Sequence, residues 1–295
     1  MNQAKAILTH LRFPFSFFLL PIFLFAASHS LPWIAPIWPL LIVLHLLVYP
    51  SSNGYNSLMD NDTGSIGGIK YPEKVPKAMI TVSFIMDGIA LILTFLWYGW
   101  TTTGLILLYI LASRAYSYRG IRLKKNPIIG YLIVVLFQGA LIFIATVWTL
   151  TNSIQFDLTT ALGACVSALL IGASYPLTQV YQHQQDAEDG VITLSALLGI
   201  KGTFVFAIVA FLLLNVLMFA YLELKLQSIF PFLMFLMVSG PAGMYLVRWM
   251  RLVWRDPIMA NYENTMKMSK IGSACMNVFF LALLVFEIIA WQPWN

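Results

Sequence analysis

Charged residues are scarce in this 295-residue sequence: they make up 10% of it, against about 25% in an ordinary soluble domain. Hydrophobic residues make up 60%, and the mean hydropathy is +0.81. A chain with so little polar surface cannot cover itself in water, which excludes a soluble enzyme and a disordered regulator. The composition therefore predicts an integral membrane protein.

Cysteine and histidine are equally scarce, which limits metal and redox chemistry. The two cysteines, Cys165 and Cys275, lie in apolar stretches far apart in the sequence, and neither has a second cysteine at metal-ligand spacing. The four histidines are scattered and form no HExxH or multi-histidine motif: His10, His29, His45 and His183. These patterns argue against a thiolate or histidine metal site.

Long apolar stretches are what the sequence has in excess. Nine of them are long enough, or nearly so, to cross a bilayer as helices of about 20 residues. The first lacks a clear cleavage site and is predicted to be retained, and the fourth is the weakest because Arg114 interrupts it. We predict an all-α polytopic bundle of about nine transmembrane helices in one domain, 1–295, with spans at 12–29, 34–52, 78–98, 101–118, 127–150, 158–180, 202–222, 229–248 and 271–291.

Lysine and arginine are distributed unevenly between the predicted loops. In the nine-span arrangement, every lysine and arginine except Lys225 falls on the side of the N-terminus. Basic residues accumulate in cytoplasmic loops, so we expect a cytoplasmic N-terminus, in a bacterial inner membrane. The net charge of +5 is accounted for by this asymmetry, and no nucleic-acid partner is expected.

The first acidic segment follows the second span. If the helix continues beyond the membrane, Asn53, Asn56 and Asp60 lie on one face, and Asp62 follows near its end. Hard divalent cations prefer such oxygen ligands, and Mg²⁺ is usually held by one or two carboxylates with substrate phosphates completing the shell. Three lysines then follow that would neutralise further phosphate charge: Lys70, Lys74 and Lys77.

The second acidic segment follows the sixth span and repeats this pattern. Four polar residues recur at helical spacing, and Asp189 lies near the end of the segment; the four are Gln179, Gln182, His183 and Asp186. Either segment alone is also consistent with a solvated helix end at the membrane border. Two polar faces on the same side of the membrane favour a shared site.

Three polar segments carry a resemblance to a known family. They read NSLMDNDTGSIGGIKYP at 56–72, YSYRGIRLKKNPIIG at 116–130 and SYPLTQVYQHQQDAEDGVITLSALLG at 174–199. Together with nine spans, they resemble the UbiA superfamily of intramembrane prenyltransferases. The resemblance implies a central cavity, Mg²⁺ as the cofactor, a prenyl diphosphate as one substrate and a lipophilic acceptor, such as an aromatic quinone precursor, as the other.

The resemblance also assigns roles to residues. Asp60 and Asp186 are the expected catalytic carboxylates. The metal ligands implied are Asn56, Asp60, Asp62, Asp186 and Asp189. The substrate-binding residues implied are Lys70, Lys74, Lys77, Tyr116, Arg119, Lys124, Gln182 and His183. The sequence departs from the family pattern at Ser57, Gly64 and Gln182, where an aspartate is common, and this leaves the number of metal ions open.

Two other functions compete with prenyl transfer. A membrane terpene cyclase of the same superfamily would use the same diphosphate site and quench the carbocation internally. A secondary transporter would need broken helices and matched repeats around a midplane site, whereas the acidic segments lie at one membrane border. Asp87 and Glu287 are ionisable residues within spans, and we expect Asp87 to pair with another span.

Overall fold

A computed structural model of the chain describes residues 3–61, 64–155 and 157–290, which are almost entirely helical. The described residues contain no β-strand, only an isolated bridge between Ile66 and Ile69. A short helix, His183–Glu188, lies in one of the loops. The long helices are Gln3–Phe18 with Leu20–His29, Ile37–Asp60, Met79–Ser117, Pro127–Thr151, Leu158–Gln179, Leu194–Leu226, Phe230–Arg255 and Tyr262–Ala290.

The element Met79–Ser117 is a hairpin of two helices. As one straight rod, its 39 residues would be about 58 Å long at 1.5 Å per residue, nearly twice the thickness of a bilayer core. Gly99 breaks the helix with φ 77° and ψ −167°, a conformation that favours glycine. Asp87 before the break forms an ion pair with Arg114 after it, so the two arms, 79–98 and 100–117, run antiparallel.

The predicted all-α membrane bundle is confirmed. Across the described ranges, seven helices are long and apolar enough to cross a membrane, and the pair Gln3–Phe18 and Leu20–His29, bent by 44°, adds an eighth. The break at Gly99 divides one of the seven where the sequence predicts a boundary between the third and fourth spans. The bent pair counts as one span, each hairpin arm counts as one, and the other six helices count as one each. The total is nine spans.

An aromatic cluster holds four of the helices together. The ring of Phe25 lies 4.7 Å from Phe280, 4.8 Å from Tyr221 and 5.2 Å from Phe143 between ring centroids. All four side chains are buried, and aromatic pairs in such geometries stabilise a fold beyond the area they bury. This cluster belongs to the main core, and it joins the first bent helix to Pro127–Thr151, Leu194–Leu226 and Tyr262–Ala290.

A polar cluster inside the bundle fixes the helix that carries the first acidic segment. Arg114 donates to Ser51 Oγ at 2.7 Å as well as to Asp87, and its guanidinium lies 4.2 Å from the centroid of the Tyr55 ring. Asp87 is thus paired with another helix arm, as the sequence predicts. Ser51 and Tyr55 lie in Ile37–Asp60, so both hairpin arms brace that helix against rotation.

The orientation of the bundle is testable by cysteine labelling. In a variant lacking Cys165 and Cys275, single cysteines at the exposed positions Lys74, Lys125 and Glu188 should react only with a reagent supplied from the cytoplasmic side. The reason is the one-sided distribution of basic residues. Cysteines at the exposed positions Ser153 and Gln227, in the opposite loops, serve as controls and should react only from outside. Labelling of any of the first three from outside contradicts the predicted topology.

Candidate functional site

The helices surround a cavity of about 520 Å³ whose lining changes from polar to apolar. Most of the wall consists of apolar side chains from several helices, among them Phe137, Leu170, Phe211, Phe235 and Met276. The polar end is formed by residues from the two acidic segments and the loop between the hairpin and the next helix: Asn56, Asp60, Lys124, Gln182 and Asp186. The three segments that the sequence singles out therefore meet at one end of one cavity.

Asp60 is the last residue of the helix Ile37–Asp60, which ends where Asn61 adopts a left-handed conformation with φ 53°. The Asp60 carboxylate forms an ion pair with Lys124 Nζ and lies 3.8 Å from Arg122 Nη2. Its side chain is only 7% exposed. A buried carboxylate is stable only with such partners, so the two cations hold its charge at the cavity wall.

Arg122 connects the two acidic segments. Its Nη2 forms an ion pair with the Asp189 carboxylate, and its Nη1 donates to the Asp189 carbonyl oxygen at 3.2 Å. Arg119 lies beside it, with Nη1 3.4 Å from Asp189 Oδ1 and with Nε donating to the Met59 carbonyl oxygen at 2.7 Å. The basic loop therefore ties the end of the first acidic segment to the end of the second.

Asp189 is paired with Arg122, and neither residue lines the cavity in the described part of the chain. Burial of the carboxyl tends to raise its pKa, but the hydrogen bond and charge of Arg122, with the charges of Arg119 and Lys124, outweigh burial and hold the pKa below its usual value. In this arrangement Asp189 orients the guanidinium of Arg122. Its role as a metal ligand stays a prediction.

Two phenols lie at the cavity wall between the acidic segments. The hydroxyl groups of Tyr116 and Tyr175 are hydrogen-bonded to each other. Each phenol is within electrostatic reach of both Asp60 and Asp186, which are far apart in the sequence. The two expected catalytic carboxylates therefore flank the same part of the cavity.

The amide side chains of Asn56 and Gln182 complete the polar end. Asn56 Oδ1 accepts a hydrogen bond from the Ser117 hydroxyl at 2.7 Å, which fixes the amide against the hairpin. Gln182 Nε2 donates to the Ser65 carbonyl oxygen at 3.1 Å, which joins the second acidic segment to the loop after the first. Both side chains thus hold defined positions on the cavity wall.

Some of the residues singled out from the sequence lie away from the cavity. His183 Nε2 is 2.7 Å from Ser195 Oγ, and burial lowers the pKa of the imidazole. Lys70 forms an exposed ion pair with Glu263. Two further lysines are exposed and do not line the cavity in the described ranges: Lys74 and Lys77. The structure does not bring these four residues to the polar end, and their contacts with a diphosphate remain predictions.

The oxygen atoms at the polar end fit a metal ion that is shared with a substrate. The described residues contain no group of three or more histidine, cysteine, aspartate and glutamate side chains placed to hold a metal. Asp62, a predicted ligand, lies outside the described residues. Asn56, Asp60 and Asp186 nevertheless present one amide and two carboxylates to the same space. Mg²⁺ is typically held by one or two carboxylates, with phosphate oxygens and waters as the other ligands.

Two arginines at this site are missed by the sequence analysis. Arg122 is 4% exposed and contacts both acidic segments, yet its sequence neighbour Arg119 is the one that the pattern favours. Arg119 is indicated by the resemblance alone, and in the structure it also contacts both acidic segments. Arg12 lines the cavity, whereas Arg122 is not among the described residues that line it, and the Arg12 guanidinium donates to the carbonyl oxygens of Asn53 and Gly67, each at 3.1 Å. The sequence indicates Arg122 only by its position within the basic segment 116–130.

Comparison with known proteins bears on the family and the fold of the chain. The model of the UbiA prenyltransferase family matches residues 15–271. A UbiA homolog from Archaeoglobus fulgidus bound to DMAPP and Mg²⁺ is 15% identical, with a TM-score of 0.68 over 95% of this chain and 99% of that chain. A structure from work on digeranylgeranylglyceryl phosphate synthase is 19% identical, with a TM-score of 0.56 over 98% and 100%. No curated protein matches the sequence significantly. At these identities the likeness shows a shared fold.

Proposed function

The chain belongs to the UbiA prenyltransferase family, and from this premise we propose that it transfers a prenyl group from a prenyl diphosphate to a lipophilic acceptor within the membrane, in a Mg²⁺-dependent reaction. The observation that carries the proposal is the cavity, which joins Asp60, Asp186 and Lys124 at one end to an apolar interior. A prenyl diphosphate has the same division between a charged head and an apolar chain. The fold shared with a homolog bound to DMAPP and Mg²⁺ supports it.

The polar end would bind the diphosphate. Asp60 and Asp186, with the amide oxygen of Asn56, would hold Mg²⁺, which stabilises negative charge on the leaving diphosphate when it is bound. Lys124 and Arg122 lie next to Asp60 and supply positive charge from the protein. Such cations, fixed before the reaction, stabilise charge that develops as the diphosphate departs.

The apolar interior would bind the prenyl chain and exclude water. In the reaction, the allylic C–O bond breaks and its electron pair leaves with the diphosphate. A nucleophilic carbon of the acceptor then bonds to the allylic carbon and loses a proton. The rings of Tyr116 and Tyr175 lie at the cavity wall beside both carboxylates, where their π faces would stabilise the allylic cation. Apolar walls protect that cation from hydrolysis.

A turnover assay tests the proposal directly. The purified protein, in lipid, is incubated with Mg²⁺ and geranyl, farnesyl or geranylgeranyl diphosphate, with and without a panel of phenolic and quinol acceptors, and the products are identified by mass spectrometry. Prenylated acceptor with release of diphosphate supports prenyl transfer. A cyclised hydrocarbon formed without any acceptor supports the cyclase instead. Absence of turnover with every diphosphate contradicts both.

The two acidic segments should act on one ligand. We expect a non-hydrolysable prenyl diphosphate analogue to raise the unfolding temperature only when Mg²⁺ is present, because the ligand binds the folded state through the metal. Asp60→Ala and Asp186→Ala should each remove most of this increase, and the double variant should lose little more, since residues that share one ligand are not additive. Differential scanning fluorimetry in detergent measures this. Additive losses, or stabilisation that ignores Mg²⁺, would mean that the segments bind separately.

A further inference from the structure

The helix Phe230–Arg255 carries a groove of about 750 Å³ that adjoins the cavity, because Gly243 and Val247 line both. All its lining residues belong to this one helix and recur three and four apart, which places them on a single face. The face is exposed: Met244 is 70% exposed and Val247 is 37% exposed. The lining consists of Gly240, Gly243, Met244, Val247, Arg248, Arg251, Leu252 and Arg255.

Three arginines occupy one end of this groove. Arg248, Arg251 and Arg255 are all exposed, and no ion pair found in the described ranges includes any of them. They extend over about 10 Å along the helix axis, at 1.5 Å per residue. The groove therefore combines a line of positive charge with an apolar remainder.

The arginines lie at the same membrane border as the polar end of the cavity. The helix ends at Arg255, and the next long helix begins at Tyr262. The ring of Tyr262 lies 5.5 Å from that of Tyr181, which lines the cavity. In a bilayer, the three guanidinium groups are therefore at the level of the lipid headgroups, and the glycine end of the groove is deeper among the acyl chains.

The glycines in the groove have no packing role within the protein. A Cβ atom added at Gly240 or Gly243 would meet nothing within 4 Å, so neither glycine allows a close helix contact. Glycine is a poor helix former, and Pro241 between them lacks the amide hydrogen that a helix interior uses. The missing side chains leave open space along this face of the helix.

We propose that this groove is a binding site for one anionic phospholipid. The phosphate lies against Arg248, Arg251 and Arg255, and an acyl chain lies along Gly240, Gly243 and Met244. Guanidinium groups bind phosphate oxygens through charge-assisted hydrogen bonds, and basic residues next to a membrane attract anionic lipids. The preference for basic residues on the cytoplasmic side accounts for arginines at this end of the helix, but it does not require them to line a groove. Because the groove shares Gly243 and Val247 with the cavity, the experiment also tests farnesyl diphosphate as its ligand.

Lipid retention by the full-length protein tests the proposal. Native mass spectrometry in mixed phosphatidylglycerol and phosphatidylcholine should show one tightly retained phosphatidylglycerol. The variant with Arg248→Gln, Arg251→Gln and Arg255→Gln should bind it about 100-fold more weakly, since each basic residue near the anionic surface contributes about fivefold. A matched variant with Lys5→Gln, Lys125→Gln and Lys270→Gln removes the same charge from exposed positions outside the groove and should retain the lipid.

A second variant separates the groove from general electrostatic attraction. Gly240→Leu keeps all three arginines, fills the open space and lies outside the cavity lining. It should also weaken phosphatidylglycerol retention, by about tenfold for the loss of one buried acyl segment. The proposal is overturned if the two triple variants lose the lipid equally, or if Gly240→Leu has no effect. It is also overturned if farnesyl diphosphate displaces phosphatidylglycerol without Mg²⁺. That last result would assign the groove to the substrate instead.

Discussion

Replacing Asp60 or Asp186 with alanine is expected to reduce Mg²⁺-dependent turnover by at least about 1,000-fold, because each change removes a carboxylate that would hold the metal on the diphosphate. Asp60 is buried against Lys124 and Arg122, and Asp186 lines the same cavity. Asp60→Asn should be nearly as harmful, since the amide keeps the shape of the side chain and loses its charge. The initial rate of diphosphate release measures the effect.

The control for this experiment is an acidic residue of the same loop. Glu188 is exposed, accepts a hydrogen bond only from Gln184 among the contacts of the described residues, and does not line the cavity. Glu188→Gln should therefore keep the wild-type rate. Size-exclusion chromatography and the unfolding temperature without ligand establish that each variant is folded. Wild-type turnover by either aspartate variant would show that the cavity end is not the metal-binding site.

Arg122→Ala is expected to lower turnover by about 100-fold, comparable to the loss of one preorganised charge from a site of developing negative charge. Arg122 touches both the Asp189 carboxylate and, at 3.8 Å, the Asp60 carboxylate, so its removal leaves Arg119 as the arginine that still contacts both segments. Arg122→Lys should recover only part of the rate. An ammonium cannot reproduce two directed contacts with a planar group.

Arg122→Gln and Lys125→Ala distinguish a chemical role from a structural one. Removing one partner of a buried ion pair costs roughly 3–5 kcal/mol of stability, so the alanine variant must be compared with Arg122→Gln, which retains hydrogen-bond donors. Lys125 lies in the same loop, is exposed, and does not line the cavity, so Lys125→Ala should be neutral. If Arg122→Gln is stable and fully active, Arg122 has no part in binding the diphosphate.

The membrane class and the helices follow from the sequence because the bilayer imposes them. Only 10% of the residues are charged, and apolar stretches of about 20 residues recur along the sequence. In a bilayer such stretches form helices, because every backbone polar group must be hydrogen-bonded within the protein. The structure shows this helical bundle. Polar residues at helical spacing also predicted which segments meet: Asp60 and Asp186 both line the polar end of the cavity. These features depend on local patterns, which a sequence records directly.

The pairing of individual cations with carboxylates was decided only by the tertiary structure. Lys70, Lys74 and Lys77 follow the first acidic segment closely in the sequence, yet they lie away from the cavity, while Lys124 and Arg122 reach Asp60 from another loop. Left-handed residues such as Asn61 and Arg122 end or redirect the local helices. Helical spacing cannot predict where a side chain points beyond such a residue.

The sequence by itself thus determined that this protein is a membrane bundle and which polar segments line one cavity, because hydrophobic matching and helical periodicity act within one segment. The tertiary structure alone decided the contact of Arg122 with both acidic segments and the groove beside Gly240. Each of these depends on contacts between residues distant in sequence, or on space left open by packing. Such features arise from the balance of the whole bundle, and no local pattern specifies them.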